Sequence, residues 1–319
     1  VAQWKNQTLF PGDSGYFLLA KISSQFKPSN VLDYSNARIK MYKEIYNQND
    51  TIFCVYSGHS LYLDPLSPDP IGYLSKNGNA NGINCEHTFP QSKGADQGNA
   101  RSDMHHLFPA RAAVNEARSN FPYAEIEDRK TQSWFYKNSS INTIPQIHID
   151  WYSESTSNAF EPREDHKGNV ARAIFYFMAI YDLQADRTFF EMMKPTLCDW
   201  HESDPVDSTE WSRSQMIGKY QEGKANPFVL DCSLARRTFC PQLPDCSSFT
   251  ATRSIPNLIV KEVYFSQDNH LNIELSQEEH CQVFICNPMG QIFYAETFSG
   301  TEKHILTTHW PPGLYLVKM

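Results

Sequence analysis

Apolar and polar positions along the 319-residue chain fall into two textures. Through the first 240 residues, helical segments mix with short β-type runs. Tyr34 to Tyr46 reads as a helix, and Asn169 to Leu183 carries a broad apolar face that predicts a core helix. The run DSTEWSRSQMIGKYQEG begins with Asp207 as N-cap and Glu210 in the capping-box position, and its helix stops at Gly223. The segment 241–256, PQLPDCSSFTATRSIP, is rich in Pro, Ser and Thr, has no period, and reads as a linker. Beyond it NLIVKEVYF, HLNIELS, CQVFIC, QIFYAETF, KHILTT and GLYLVKM are β-rich runs between turn residues, a spacing that predicts a small β-sandwich. The expected class is α+β: a mixed, helix-rich domain over 1–240, a linker over 241–256 and an all-β sandwich over 257–319.

One stretch, NCEHTFPQSKGADQGNARSDMHHLFPARAAVNEARSNF from Asn84 to Phe121, concentrates chemistry-bearing residues. Its pattern predicts a strand ending at Pro90, a polar loop, a second strand-like piece in SDMHHLFP, and a helix with Pro109 in its first turn. Asn115 falls inside that helix, where its amide competes for backbone bonds, so the side chain is either solvent-facing or engaged elsewhere. Glu86 and Asn115 offer oxygen ligands of the kind hard cations such as Mg²⁺ prefer. His87 points to the opposite face from Glu86 on a regular strand, and a bulge or twist is needed for both to serve one site. A neutral His takes a proton from water near pH 7, and a base, a cation and nearby arginines together suit phosphodiester hydrolysis. A zinc site drawn from Cys85, His87 and His105 or His106 is disfavoured by the Glu and Asn, which suit a harder ion.

The formal net charge of −8 argues mildly against a purely nucleic-acid-binding protein but leaves room for an enzyme with a local cationic cleft. No run reaches the roughly 18 to 20 apolar residues of a membrane helix; the longest, Ala173 to Tyr181, is buried-helix length. Eight cysteines fit disulfides in an oxidising compartment, with buried free thiols as the alternative. Cys232, Cys240 and Cys246, near Pro241 and Pro244, suit a stapled loop. Cys281 and Cys286 on one extended strand stand about 16 Å apart, too far to bridge. The chain opens at Val1 rather than Met, as a processed terminus would.

Taken together, EHTFPQS and DMHHLFPARAAVNEARSNF resemble the endonuclease I family of secreted and periplasmic nucleases, which carry a ββα-metal (His-Me) finger. The matching positions are Glu86, His87 and Pro90; Asp103, His105, His106, Leu107 and Pro109; and Val114, Asn115, Arg118 and Asn120. The Gly168 to Tyr181 helix and QEGKANPFVLD match as well, so the resemblance spans roughly 15–235. It implies that His87 is the general base, that Glu86 and Asn115 bind a divalent metal (Mg²⁺, with Mn²⁺ or Ca²⁺ as alternatives), and that a sequence-nonspecific endonuclease leaves 5′-phosphate products on DNA, with RNA open as a second substrate. Arg101 stands where some members carry Glu and supplies the phosphate-binding arginine that others place earlier in the loop. Arg118 contacts phosphate or forms a helix-surface ion pair. Asp103, His105, His106 and Asn120 are supporting residues, with Asp103 holding a loop or a histidine. The rivals are an inactive surface nucleic-acid binder and a metallohydrolase of another phosphoester. The tail, with Asn287-Pro-Met-Gly290-Gln and the ending Gly313 to Met319, resembles the sorting domain of type IX secretion cargo. That resemblance implies a secreted or cell-surface protein handled by secretion machinery; a monomer without a membrane span is expected.

Overall fold

The computed structural model describes residues 7–244, 260–266, 268–287, 292–313 and 315–318. The chain forms two compact units, residues 1–249 and 250–319. In the first, α1 (Gly15–Phe26) and α2 (Tyr34–Lys40, continued by a π-turn over Met41–Ile45) lead into β1 (Thr51–Phe53), β2 (Ser60–Tyr62) and α3 (Pro70–Ser75). Next come β3 (Ile83–His87), α4 (Gly98–Ser102), β4 (Leu107–Arg111) and α5 (Ala112–Arg118). A small antiparallel sheet follows, β5 (Ser133–Tyr136), β6 (Ser139–Ile141), β7 (Ser153–Ser155) and β8 (Phe160–Glu161), in the order β6-β5-β7-β8. The unit ends in α6 (Lys167–Ile180), α7 (Arg187–Ser203), α8 (Ser208–Tyr220), α9 (Pro227–Leu230) and α10 (Ser233–Thr238).

Helix α6 organises the interior. Every residue of it except Asn169 is buried, so the broad apolar face read from the sequence extends around the whole helix. Its polar residues are neutralised in place: Arg172 Nη2 lies 2.7 Å from Glu210 Oε2 and its Nε donates to Glu210 Oε1 at 2.8 Å. Asp207 caps α8 as expected, accepting from the Glu210 amide at 2.7 Å, but the Glu210 carboxylate turns to Arg172 instead of closing a capping box. Two apolar clusters flank the β3–β4 hairpin. One contains Phe89, Ala110 and α6; the other contains Ile83, Met104, Leu107 and Ile217. A disulfide joins Cys198 on α7 to Cys240 beyond α10, so the Cys240 bridge reaches a distant helix. Cys232 is disulfide-bonded too, whereas Cys54, Cys85 and Cys286 are free thiols. Of the expected linker, 241–244 are described, with Leu243 buried; Cys246 and the rest lie outside the described residues.

The second unit is one antiparallel sheet. The separate runs expected from the sequence join into long strands: β10 (His270–Cys286) pairs with β11 (Ile292–Leu306), with β9 (Val260–Phe265) beside its first half and β12 (Leu316–Lys318) beside its last residues. A register shift between Glu274 and Glu279 marks where two predicted strands became one. Leu271, Ile273, Leu275, Val283, Ile285, Phe298 and Ile305 form this unit's own core. Among the described residues, no helix is long and apolar enough to cross a membrane.

Candidate active site

Strands β3 and β4 pair antiparallel from Ile83↔Arg111 to His87↔Leu107 without a bulge, and α5 follows at once, giving a β-hairpin capped by a helix. Pro109, expected in the first helical turn, is instead a strand residue opposite Cys85. Its carbonyl accepts from Val55 N at 3.0 Å, so its nitrogen also faces that side, away from the β3 ladder, and no hairpin bond needs its missing N–H. The second strand is also shorter than expected: Met104–His106 form a 3-10 turn, and β4 begins at Leu107.

Because the ladder is regular, Glu86 and His87 leave β3 on opposite faces. Glu86 is buried at 3 % exposure, and its Oε1 lies 2.8 Å from Arg118 Nε while accepting from Tyr56 OH at 3.0 Å and Tyr123 OH at 3.3 Å. Burial raises the Glu86 pKa, opposed by Arg118 and the two tyrosines. Arg118 is itself fully buried and also donates to Thr88 O at 2.8 Å and Ser119 O at 2.9 Å. It therefore forms neither the phosphate contact nor the helix-surface pair expected of it; a sequestered guanidinium with all its nitrogens engaged secures the Glu86 carboxylate. Asn115, one helical turn before it, donates its amide to Asn84 Oδ1 at 2.8 Å, on the same β3 face as Glu86.

On the other face, His87 Nε2 lies 2.9 Å from Arg101 O. A carbonyl only accepts, so Nε2 carries the proton and Nδ1 keeps the lone pair, with the Gln91 amide nitrogen 3.4 Å away. Burial, helped by His106 nearby, lowers the His87 pKa to about 3, so the ring is neutral near pH 7. Tyr34 packs against it at a centroid distance of 5.4 Å and His106 at 5.6 Å. The Arg101 guanidinium, on an exposed residue, sits 4.9 Å over the Tyr34 ring.

The supporting residues are structural. Asp103 accepts from Tyr176 and Tyr181 hydroxyls, each at 2.7 Å, from Gln221 Nε2 at 2.9 Å and from His105 N at 3.0 Å. It ties the 3-10 turn to α6 and to the end of α8. His105 and His106 are both buried, with Nε2 atoms on Lys224 O and Ala100 O; only His106 reaches the His87 ring. Asn120 donates to Ser92 Oγ at 3.1 Å across the loop after β3. Tyr34, Tyr56, Gln91 and Tyr123 complete the site without having been singled out in the sequence; Gln91 lies four residues after His87, whereas the three tyrosines come from other segments that no spacing rule links to Glu86 or His87.

The donor set suits a hard divalent cation. Arg118 Nε and the Tyr56 and Tyr123 hydroxyls all fall on Glu86 Oε1, the His87 backbone amide also acts on the carboxylate, and the Asn115 nitrogen on Asn84 leaves its oxygen as the end that can ligate. One carboxylate and one amide oxygen, completed by water and phosphate, are a Mg²⁺-type set. No group of three or more His, Cys, Asp or Glu among the described residues is arranged to hold a metal.

The β-hairpin and helix thus carry a buried carboxylate on one face and a neutral imidazole on the other. The endonuclease I family model matches residues 15–232, and the chain belongs to that family. It is 31% identical over 193 residues to an extracellular ribonuclease of Bacillus subtilis (strain 168), covering 52% of this chain and 60% of the relative. It is 29% identical over 140 residues to a periplasmic deoxyribonuclease of Aeromonas hydrophila, covering 43% and 51%. An extracellular deoxyribonuclease of the same organism is 30% identical over 130 residues, covering 40% and 48%. The chain thus spans between about half and three-fifths of the length of these relatives.

Proposed function

We propose that the protein is a secreted, metal-dependent, sequence-nonspecific endonuclease that hydrolyses phosphodiester bonds of DNA, and of RNA as a second substrate, to 5′-phosphate products. The observation that carries this reading is the His87 ring: neutral, fixed through Nε2 by the Arg101 carbonyl, with Nδ1 left as a base. His87 is the last residue of β3, and in this reading the phosphodiester lies across the strand's end, between the groups of the two faces. His87 Nδ1 takes the proton of the attacking water, and the Arg101 guanidinium binds the phosphate. Glu86 Oε2 and Asn115 Oδ1 hold the divalent cation, Mg²⁺ by preference with Mn²⁺ or Ca²⁺ as substitutes, while Arg118, Tyr56 and Tyr123 fix the carboxylate. When bound, the cation stabilises the charge of the five-coordinate phosphate and of the leaving 3′ oxygen. Contacts that fall on phosphate carry no sequence information, which accounts for the absence of sequence preference.

Relatives named extracellular and periplasmic support secretion, and the disulfide suits an oxidising compartment. In this reading the C-terminal sheet unit is the part handled by secretion machinery, and the protein acts as a monomer. The test is cleavage of supercoiled plasmid and of RNA by the full chain with Mg²⁺ and with EDTA, beside His87→Ala. Cleavage that needs the metal and falls by at least about 100-fold in the variant is expected, the scale of a lost general base. Cleavage persisting in EDTA would exclude the metal role.

A further inference from the structure

Arg38 was not singled out by any motif, yet it lies beside the candidate base. Its guanidinium carbon sits 4.3 Å from the centroid of the Tyr34 ring, the ring that the Arg101 guanidinium also covers at 4.9 Å and that packs on His87. The two cations are therefore separated by no more than those two distances together. Like charges held this close repel. Buried arginines of this unit have their nitrogens spent inside it: Arg118 pairs with Glu86, Arg172 with Glu210 and the half-buried Arg237 with Asp231, while Arg111 and Arg213 donate to carbonyl, amide and hydroxyl oxygens. Among the described residues no carboxylate pairs with Arg38 or Arg101. Arg38 Nε donates to Tyr34 O at 3.3 Å, which anchors the fork at one corner and leaves both Nη groups without an acceptor among the described residues.

We infer that Arg38 and Arg101, spaced by Tyr34, form a two-arginine phosphate seat next to His87, with Arg38 contacting a backbone phosphate of the nucleic acid. This deepens the proposed function and rests on it. A guanidinium presents a planar fork matched to phosphate oxygens, and the aromatic ring beneath holds two such forks in place without neutralising them. The seat also gives a chain of net charge −8 two unpaired cations to offer a polyanionic substrate.

The test compares the full-length parent with Arg38→Gln and Arg38→Lys, each checked for a parent-like thermal melt. KM and kcat for duplex DNA are measured between about 50 and about 200 mM salt. Arg38→Gln is expected to raise KM roughly three- to tenfold, with a smaller change in kcat, and to flatten the slope of log KM against log salt by about one phosphate contact. Arg38→Lys, which keeps the charge but not the fork, is expected to recover most of the slope. Parent-like KM and salt slope in Arg38→Gln would overturn the proposal and leave Arg38 as a residue that only packs on Tyr34. If the parent cleaves no nucleic acid, the nuclease reading fails and the seat is judged separately, by fluorescence anisotropy of a short labelled duplex in EDTA. A salt slope lower by about one in Arg38→Gln then upholds the seat, and an unchanged slope overturns it.

Discussion

Glu86 shows how one carboxylate is made usable inside a protein. Desolvation pushes its pKa up and Arg118 with two tyrosine hydroxyls pulls it back. All three act on Oε1, and the His87 backbone amide acts on the same carboxylate. Arg118 is thus a positioning residue that acts through Glu86. Removing it strands a buried charge, so Arg118→Met is expected to cost about 3–5 kcal/mol of stability, read as a lowered urea midpoint. The double variant Glu86→Gln/Arg118→Met is expected to recover much of that loss, because neither partner is then left charged and unpaired. A double variant no more stable than Arg118→Met alone would show that the arginine's bonds to Thr88 O and Ser119 O, rather than the ion pair, carry its contribution. Sequence spacing brought Glu86, His87 and Asn115 to notice, because these lie within one local hairpin and helix. Tyr56, Tyr123 and Arg38 escaped it, since they reach the site from other segments and only the packed interior makes them neighbours.

At the scale of elements, the strand–loop–strand–helix order was legible and its boundaries were not. A proline beside good helix formers looks like a helix start; here it is a strand residue because its nitrogen faces away from the hairpin ladder. The α6 pattern announced a buried face but not burial on every side, which depends on α1, α7 and α9 closing around it. Cysteine order did not announce the Cys198–Cys240 bridge, since Cys240 lies closer in sequence to Cys232 and Cys246 than to Cys198. That disulfide closes a loop with a sequence separation of 42 between α7 and the segment after α10. Loop-closure entropy for a span of this length is about 4 kcal/mol in the chain-entropy account. Cys240→Ser is expected to lose roughly 2–4 kcal/mol, measured by urea unfolding of parent and variant. Reductant, which also breaks the disulfide of Cys232, should bring the parent to the variant's midpoint or below it; a variant as stable as the oxidised parent would show that the helix packing alone holds this end closed.

For the whole molecule, the most consequential pattern is the burial of neutral histidines in the N-terminal unit. Burial lowers the pKa of His105 and His106 to about 4 and of His166 and His201 to about 3, and for His201 the neighbouring Arg172 adds to the effect. The unfolded chain protonates a histidine near pH 6.5. Below that pH the unfolded state binds a proton the folded state refuses, so stability is complete above about pH 6.5 and falls as pH drops toward about 3 to 4. Each such histidine costs about 1.4 kcal/mol per pH unit through that window. Carboxylates whose pKa is raised by desolvation act in the opposite sense, Glu86 among them. Burial raises Glu154 to about 7, Glu161 to about 8 and Asp204 to about 6, so their contributions are full at low pH and fade as pH rises through those values. The net acid slope is thus a difference, and one histidine is best isolated by substitution. His201 Nε2 donates to Cys232 O at 3.0 Å, a bond a Gln amide can keep without a titrating ring. His201→Gln is therefore expected to lower stability modestly at pH 7 yet lose about 1.4 kcal/mol less than the parent for each pH unit between 6 and 4. Urea unfolding at several pH values reads this directly, and parallel curves for the two proteins would mean that His201 is already charged in the folded state.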